Sequence, residues 1–297
     1  MPAPSTVPNF AYVGTSKAGS TWLFNALAGH PDVYLASNKG LYYFDQHFDE
    51  GQAWYLDHFR AAGDRPAVGE ISHSYLSSPQ VPARIAELNP DMRLLVCLRE
   101  PVDRAFSDYL DLVKNGQFDG PFSAALEQFP RLLDRGRYAT HLQRYLDVFP
   151  REQVHVSLFD DLRSDPQAYA DEVFGFLGIR RRELPPADLK SRMPAGTPRS
   201  PAAAAAAKSV SKLAKRTGLR QLRSRVKRSV LVRQALYRPY KDDRPTVDPA
   251  LAAELRPGFA DEVLRLDSVL GRSVSELWGY SSTTPPAADG SRSSRGE

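Results

Sequence analysis

Cysteine is nearly absent: Cys97 is the only one in 297 residues, which excludes an internal disulfide framework and a cysteine-built zinc site. Set in the run LLVCLRE, it reads as a small apolar residue of a buried strand. No stretch approaches the ~18 consecutive apolar residues of a membrane span. The opening MPAPSTVPNF shows neither the basic region nor the long apolar run of a signal peptide, so a cytoplasmic protein is expected. No internal repeat is visible. A content of 42% hydrophobic and 25% charged residues is that of an ordinary globular chain, long enough for one large domain or a domain with an appendage. The net charge of +4 conceals an asymmetry. Between Lys208 and Arg244 thirteen Lys and Arg face only Asp242 and Asp243, so this segment carries +11 and leaves −7 for the rest.

Hydrophobic patterning divides the chain into alternating elements. Residues 9–15, 67–72, 92–98 and 153–158 read as strands, and 92–98 (DMRLLVCL without its first residue) is an uninterrupted apolar run suited to a sheet buried on both faces. Helices are predicted over 20–28, 81–88, 102–114, 138–149 and 165–177, with Pro101 at a first helical position and Gly178 as a stop. Alternation of this kind predicts an α/β domain with a central, mostly parallel sheet. From Met193 the composition changes to a linker, an alanine run and the basic segment, whose apolar residues recur at helical spacing. Two more helices are expected at 249–255 and 259–270. Residues 1–8 read as a flexible start and 281–297 as a disordered tail.

Chemistry concentrates in two places. The stretch YVGTSKAGSTWL, residues 12–23, feeds a strand through Gly14 and Gly19 into a helix, which aims backbone N–H groups and the helix's positive end at one point. Ser20 and Thr21 add hydroxyls there and Lys17 adds a charge. An ordinary βα turn remains the alternative. A triphosphatase loop has lysine directly after its second glycine, whereas here Ser20 follows Gly19. The second place is LREPVDRAFSDY, where Arg99 ends a strand and Ser107 lies about two turns into the next helix. Taken alone, these two are an ordinary surface arginine and helix serine.

Together the two motifs resemble the sulfotransferases that use 3′-phosphoadenosine 5′-phosphosulfate (PAPS), in particular the branch holding the heparan sulfate N- and O-sulfotransferases. The likeness continues through RGRYATHLQRYLDVFPREQVHVSLFDDLRSDP and VFGFLGI, covering residues 9–179 well and 246–280 loosely. It implies a P-loop-like three-layer fold, a central sheet flanked by helices, with the basic helical insertion at about 193–245 added to a domain running from 9 to 280. It also implies PAPS as cosubstrate, leaving as 3′-phosphoadenosine 5′-phosphate (PAP), and no metal. By this resemblance Lys17 stabilises charge at the bridging oxygen. Thr15, Ser16, Ala18, Gly19, Ser20, Thr21 and Trp22 complete the 5′-phosphosulfate loop, Arg99 and Ser107 take the 3′-phosphate, and Tyr138 lies near the cofactor. Lys241 and Arg244 stand where relatives carry a basic loop over the 3′-phosphate, though without its glycine.

The pattern departs from the family at one position. The carbohydrate branch carries K-E-x-x-F-F, with the glutamate as general base, whereas this chain has Lys39-Gly40-Leu41-Tyr42-Tyr43-Phe44. Lys39 is expected beside the sulfonate as a second cation. The proton acceptor is then sought at Glu70 or His73, with Glu70 preferred, or at Asp45 or His47. The aromatic stretch Tyr42, Tyr43, Phe44, Phe48, Trp54 and Tyr55 serves core packing or walls an acceptor pocket. The expected acceptor is a glycan or a small molecule such as a glycosylated natural product. The basic segment is a solvated face, a cover for the active site, or an arm for an anionic membrane, with no specific nucleic acid expected. A kinase with an unusual loop and a non-catalytic nucleotide-binding protein are the rival functions.

Overall fold

A computed structural model describes residues 6–36, 39–189, 196–198, 237–239 and 245–280. The alanine run, nearly all of the basic segment, Lys241, Arg244 and the 281–297 tail lie outside these residues. So the expectations placed on them are not addressed by the fold.

Five strands form one parallel sheet in the order β2-β3-β1-β4-β5. They are β1 (Phe10–Gly14), β2 (Val33–Leu35), β3 (Ala67–Ile71), β4 (Arg93–Leu98) and β5 (Val154–Leu158). Side chains alternate between two cores, as the two-residue period of a strand requires. Phe10, Tyr12, Leu95 and Cys97 enter one core, and Ala11, Val13, Leu94, Val96 and Leu98 enter the other. Each such fully buried Leu or Phe contributes about 1.5–3 kcal/mol, so a strand buried on both faces is stabilised twice over.

The first core is covered by α1 (Ser20–Ala28), which is followed after the sheet's first edge by the short α2 (Tyr43–Gln46) and α3 (Gly51–Asp57) on the opposite face. That second face also receives α4 (Val81–Leu88). Next comes α5 (Pro101–Lys114), which opens with Pro101 and with the Glu100 carboxylate accepting the Asp103 N–H at 2.6 Å. A proline at the first position and an acidic acceptor before it are what an N-terminus with free donors selects. Two short helices, α6 (Phe122–Gln128) and α7 (Arg131–Asp134), lead to α8 (Tyr138–Leu146) on the second core. After β5, α9 (Phe159–Ser164) and α10 (Pro166–Leu177) return to the first core. Asp165 caps α10 and left-handed Gly178 ends it.

The chain closes with α11 (Pro186–Leu189), α12 (Pro249–Leu255), α13 (Ala260–Leu270) and α14 (Val274–Leu277). The end is tied back across the molecule: Trp278 donates to Asp160 at 3.0 Å and Tyr280 to Glu100 at 2.7 Å. Gly196–Pro198 and Tyr237–Pro239 pair as antiparallel strands. The second of these lies inside the segment whose spacing predicts helix, so helix does not run through it. No helix among the described residues is long and apolar enough to cross a membrane.

Candidate functional site

The loop 15–19 leaves β1 at the carboxyl edge of the sheet's central strand. It is fixed from below: Thr15 N–H donates to the Cys97 carbonyl of β4 at 2.9 Å, and the Tyr12 hydroxyl donates to the Thr15 carbonyl at 2.9 Å. Thr15, Ser16 and Ala18 are buried, so they shape the loop from inside. Gly19 adopts φ 87°, and a Cβ there would stand 2.5 Å from Leu162 Cδ2, so both conformation and space demand glycine. The N–H groups of Lys17, Ala18, Gly19, Ser20 and Thr21 donate to no backbone carbonyl. Five orphan donors at the start of a nine-residue helix form a ready cradle for an anion. Trp22 turns its ring into the core, edge-on to Tyr169 at 5.6 Å.

Two lysines converge on this cradle. Lys39 reaches across from the loop after β2 and donates to Ser20 Oγ at 3.0 Å and Thr21 Oγ1 at 2.5 Å. Burial, and then the neighbouring Lys17 ammonium, push the Lys39 pKa down to about 8. Lys17 holds φ 68° and pairs with Asp111 of α5 at 3.2 Å. At the end of the adjacent strand, Arg99 donates to the Lys17 carbonyl at 3.4 Å and lies over the Phe159 ring at 5.2 Å. Ser107 is nearly buried on α5. Tyr138 is completely buried, and its hydroxyl donates to the Arg99 carbonyl at 2.6 Å, which makes it a brace for Arg99's backbone.

Sequence reasoning missed the group beneath the loop. Arg104 of α5 is 0% exposed, donates to Ser16 Oγ at 3.4 Å and to the Leu132 carbonyl, and pairs with Asp108 at 3.4 Å. Arg135 pairs with the same carboxylate at 3.1 Å. Burial raises the Asp108 pKa, but Arg104 and Arg135 outweigh it and the net shift is downward. A signal was present in LREPVDRAFSDY: Arg104 and Asp108 stand four residues apart, the spacing of a helical ion pair, on the helix that carries Ser107.

The candidates for proton transfer separate clearly. Gly40 has φ +80°, and a Cβ there would stand 2.6–2.8 Å from Cε2, Cζ and Oη of Tyr42. The space beside residue 40 is therefore filled by a phenol. Glu70 is 1% exposed and shares β3's face with Val68, against the aromatic core. Its oxygens accept from Ser72 at 2.6 Å and Tyr75 at 2.9 Å, and burial pushes its pKa up to about 7. His73, just beyond β3, contacts the Tyr42 hydroxyl through Nε2 at 2.7 Å. Burial, followed by Lys39 and Arg135, lowers its pKa to about 4, so the ring is neutral at pH 7. Asp45 accepts from Ser74 at 2.5 Å, while His47 is exposed against Trp54. Most of the aromatic stretch is packing, with Tyr43 stacked on Tyr55 at 4.5 Å and Phe44 edge-on to both Tyr55 and Tyr75.

The buried carboxyl has a measurable signature. Its folded pKa lies above the unfolded value of 4.5, so its contribution to stability is complete below pH 4.5 and lost as pH rises through about 7. Glu70→Gln stays neutral throughout, and its stability relative to the wild type is expected to improve by about 3 kcal/mol between pH 5 and pH 8. Urea denaturation of both proteins at the two pH values checks this. A constant difference would show that Glu70 does not titrate in that window.

The chain is similar to known proteins in both sequence and fold. Human heparan sulfate glucosamine 3-O-sulfotransferase 3B1 is 30% identical over 184 residues, 59% of this chain and 47% of that protein. The chain spans about half the length of the curated relatives it matches. Among solved structures, a sulfotransferase from Alicyclobacillus acidocaldarius superposes with a TM-score of 0.68 at 26% identity, covering 92% of this chain and 99% of that one. Mouse sulfotransferase SULT7A1, solved with PAP, shares the fold at TM-score 0.53 and 14% identity, covering 92% and 90% of the two chains. The sequence model of the sulfotransferase domain matches residues 9–186, which is more than half of the chain, and the chain belongs to that family.

Proposed function

We propose that the protein transfers a sulfuryl group from PAPS to a hydroxyl or amine of a carbohydrate or a glycosylated small molecule, by in-line displacement. The observation that carries this reading is the cradle of orphan N–H donors at α1 with Lys17 and Lys39 beside it, one strand away from Arg99. When bound, PAPS supplies a sulfuryl group on a phosphate leaving group. The N–H groups of residues 17–21 and the hydroxyls of Ser20 and Thr21 hold the 5′ end. Lys17 stabilises negative charge as it grows on the bridging oxygen, and Lys39 lies against the same hydroxyls as a second cation. Such pre-oriented charge is the main catalytic resource in a transfer of this type. Arg99 and Ser107 take the 3′-phosphate. The carbohydrate acceptor is supported by the heparan sulfate activity in the name of the human relative.

PAP and AMP differ by the 3′-phosphate that Arg99 would bind. In magnesium-free buffer, PAP is expected to raise the melting temperature more than AMP at equal concentration, since a ligand stabilises in proportion to the logarithm of its concentration over Kd. Arg99→Ala should erase the difference. Equal shifts from the two nucleotides in the wild type would refute the PAPS assignment. Transfer of ³⁵S from labelled PAPS into a cell extract then identifies the acceptor.

A further inference from the structure

Gly40 has no side chain to offer, yet the volume beside it is not empty. Tyr42 Oη would lie 2.8 Å from a Cβ at residue 40, so a hydroxyl stands where a carboxylate side chain would begin. That hydroxyl is bonded to His73 Nε2 at 2.7 Å, and His73 Nδ1 is buried without a partner. With the ring proton on Nδ1, Nε2 is an acceptor and the phenol donates to it. Ser72 N–H donates to the Tyr12 carbonyl, and the His73 carbonyl would lie 3.4 Å from a Cβ on Gly14. His73 thus borders the strand that feeds the anion cradle.

Resting on the sulfuryl-transfer reading, we propose that Tyr42 and His73 together take the acceptor's proton, and that Glu70 is a positioning residue acting through Ser72. As the acceptor oxygen forms its bond to sulfur, the bond from sulfur to the bridging oxygen breaks and its electron pair goes to the phosphate. The acceptor's proton passes to Tyr42 Oη while the phenolic proton moves to His73 Nε2. The imidazolium then releases its proton to solvent after the products leave.

Three observations support this division of labour. Among the described residues, Tyr42 is one of two non-glycine residues with positive φ, at 52°, and the other is Lys17. A left-handed backbone is strained for tyrosine, and such strain is kept where the surroundings enforce a useful orientation. Those surroundings are the Tyr42 N–H donating to Ser72 Oγ at 3.0 Å, with the Ser72 hydroxyl donating to Glu70 Oε2 at 2.6 Å. Glu70 itself is 1% exposed, so it reaches the reaction only through this chain. The charged groups acting on His73 are Lys39, Arg135 and Lys17, which disfavour the imidazolium, and Asp108, which favours it. An anion seated between the two lysines offsets their charge, which makes His73 a better base when the donor is bound.

The test compares the wild type with Tyr42→Phe, His73→Asn, Glu70→Ala and Glu70→Gln, using PAP for binding and ³⁵S-PAPS with a cell extract for transfer. Tyr42→Phe keeps the ring that fills the space beside Gly40 and removes only the hydroxyl. Both it and His73→Asn are expected to keep the PAP-induced rise in melting temperature and to lose about 100-fold in labelling rate. Glu70→Ala, which leaves Ser72 without its acceptor, should slow labelling by about tenfold, and Glu70→Gln, which still accepts from Ser72, should recover to within about threefold of wild type, whereas a general base at that position would cost 100-fold or more in both variants. The wild-type rate should fall on the acid side as a single group protonates, and that limb should vanish in His73→Asn. Labelling by Tyr42→Phe and His73→Asn, or by Glu70→Ala, within threefold of wild type, or a greater loss in Glu70→Gln, overturns this proposal and leaves the PAPS assignment standing. Failure of the wild type to bind PAP overturns the PAPS assignment itself. Binding of PAP without any labelling overturns the transfer step and this proposal with it.

Discussion

Lys17→Ala is expected to lower kcat by about 10²- to 10³-fold, the usual cost of removing one preorganised group that stabilises transition-state charge. The fold should be untouched. Alanine keeps the Cβ, so the left-handed strain at φ 68° is the same before and after. The ion pair that is lost joins Lys17 to Asp111, a carboxylate whose side chain is 47% exposed, and exposed pairs contribute under about 1 kcal/mol. Initial rates of ³⁵S transfer and a melting curve on the same preparation check both halves. A variant with wild-type rate would remove Lys17 from the mechanism, and a large fall in melting temperature would mean that the lysine is structural.

The opposite pattern is expected at Arg104. Its guanidinium is wholly buried, and alanine would leave the Leu132 carbonyl and one side of Asp108 without a donor. Breaking a buried ionic group by removing one partner costs about 3–5 kcal/mol, which for a chain of this size lowers the melting temperature by on the order of 10 °C. Arg104→Lys should recover little, because one ammonium cannot serve Ser16, Asp108 and Leu132 together as a fork does. Arg135→Ala is the control. Its side chain is 24% exposed and Asp108 would keep Arg104, so the loss should be well below that of Arg104→Ala. Equal losses from the two variants would contradict the central place given to Arg104.

Four of the sheet's five strands are legible in the sequence: β1 and residues 94–98 of β4 are uninterrupted apolar runs buried on both faces, while β3 and β5 keep enough apolar positions to be read despite Glu70, His155 and Ser157. The fifth, Val33–Leu35, is a three-residue edge strand, too short to register a period. The glycine loop and Arg99 were visible because their chemistry is local: a turn, a helix start and a strand end. Lys39 was expected beside the sulfonate from likeness alone, and its bonds to Ser20 and Thr21 span nearly twenty residues of chain. Glu70 shows what linear reading misses. Its place at a strand end suggests a ligand-facing carboxylate, yet its parity with Val68 turns it into the aromatic core. Tyr42 was hidden among neighbours of the same type, because only its left-handed backbone turns it away from Tyr43 and Phe44 and towards His73.

The strand order has a consequence for how the protein is made. Within the sheet β1 comes earliest in the chain and stands in the middle, flanked by β3 and β4. Phe10 finds its partners only at Gly69 and Arg93, and Thr15 N–H waits for the Cys97 carbonyl. The anion cradle therefore has no local means of forming. It depends on closing two long loops, a topology that folds slowly. Until then β1 is an apolar strand with both edges open, the form most prone to pair with a neighbouring chain. Tyr280, bonded to Glu100 at the head of α5, adds its tie only after all five strands of the sheet have been synthesised.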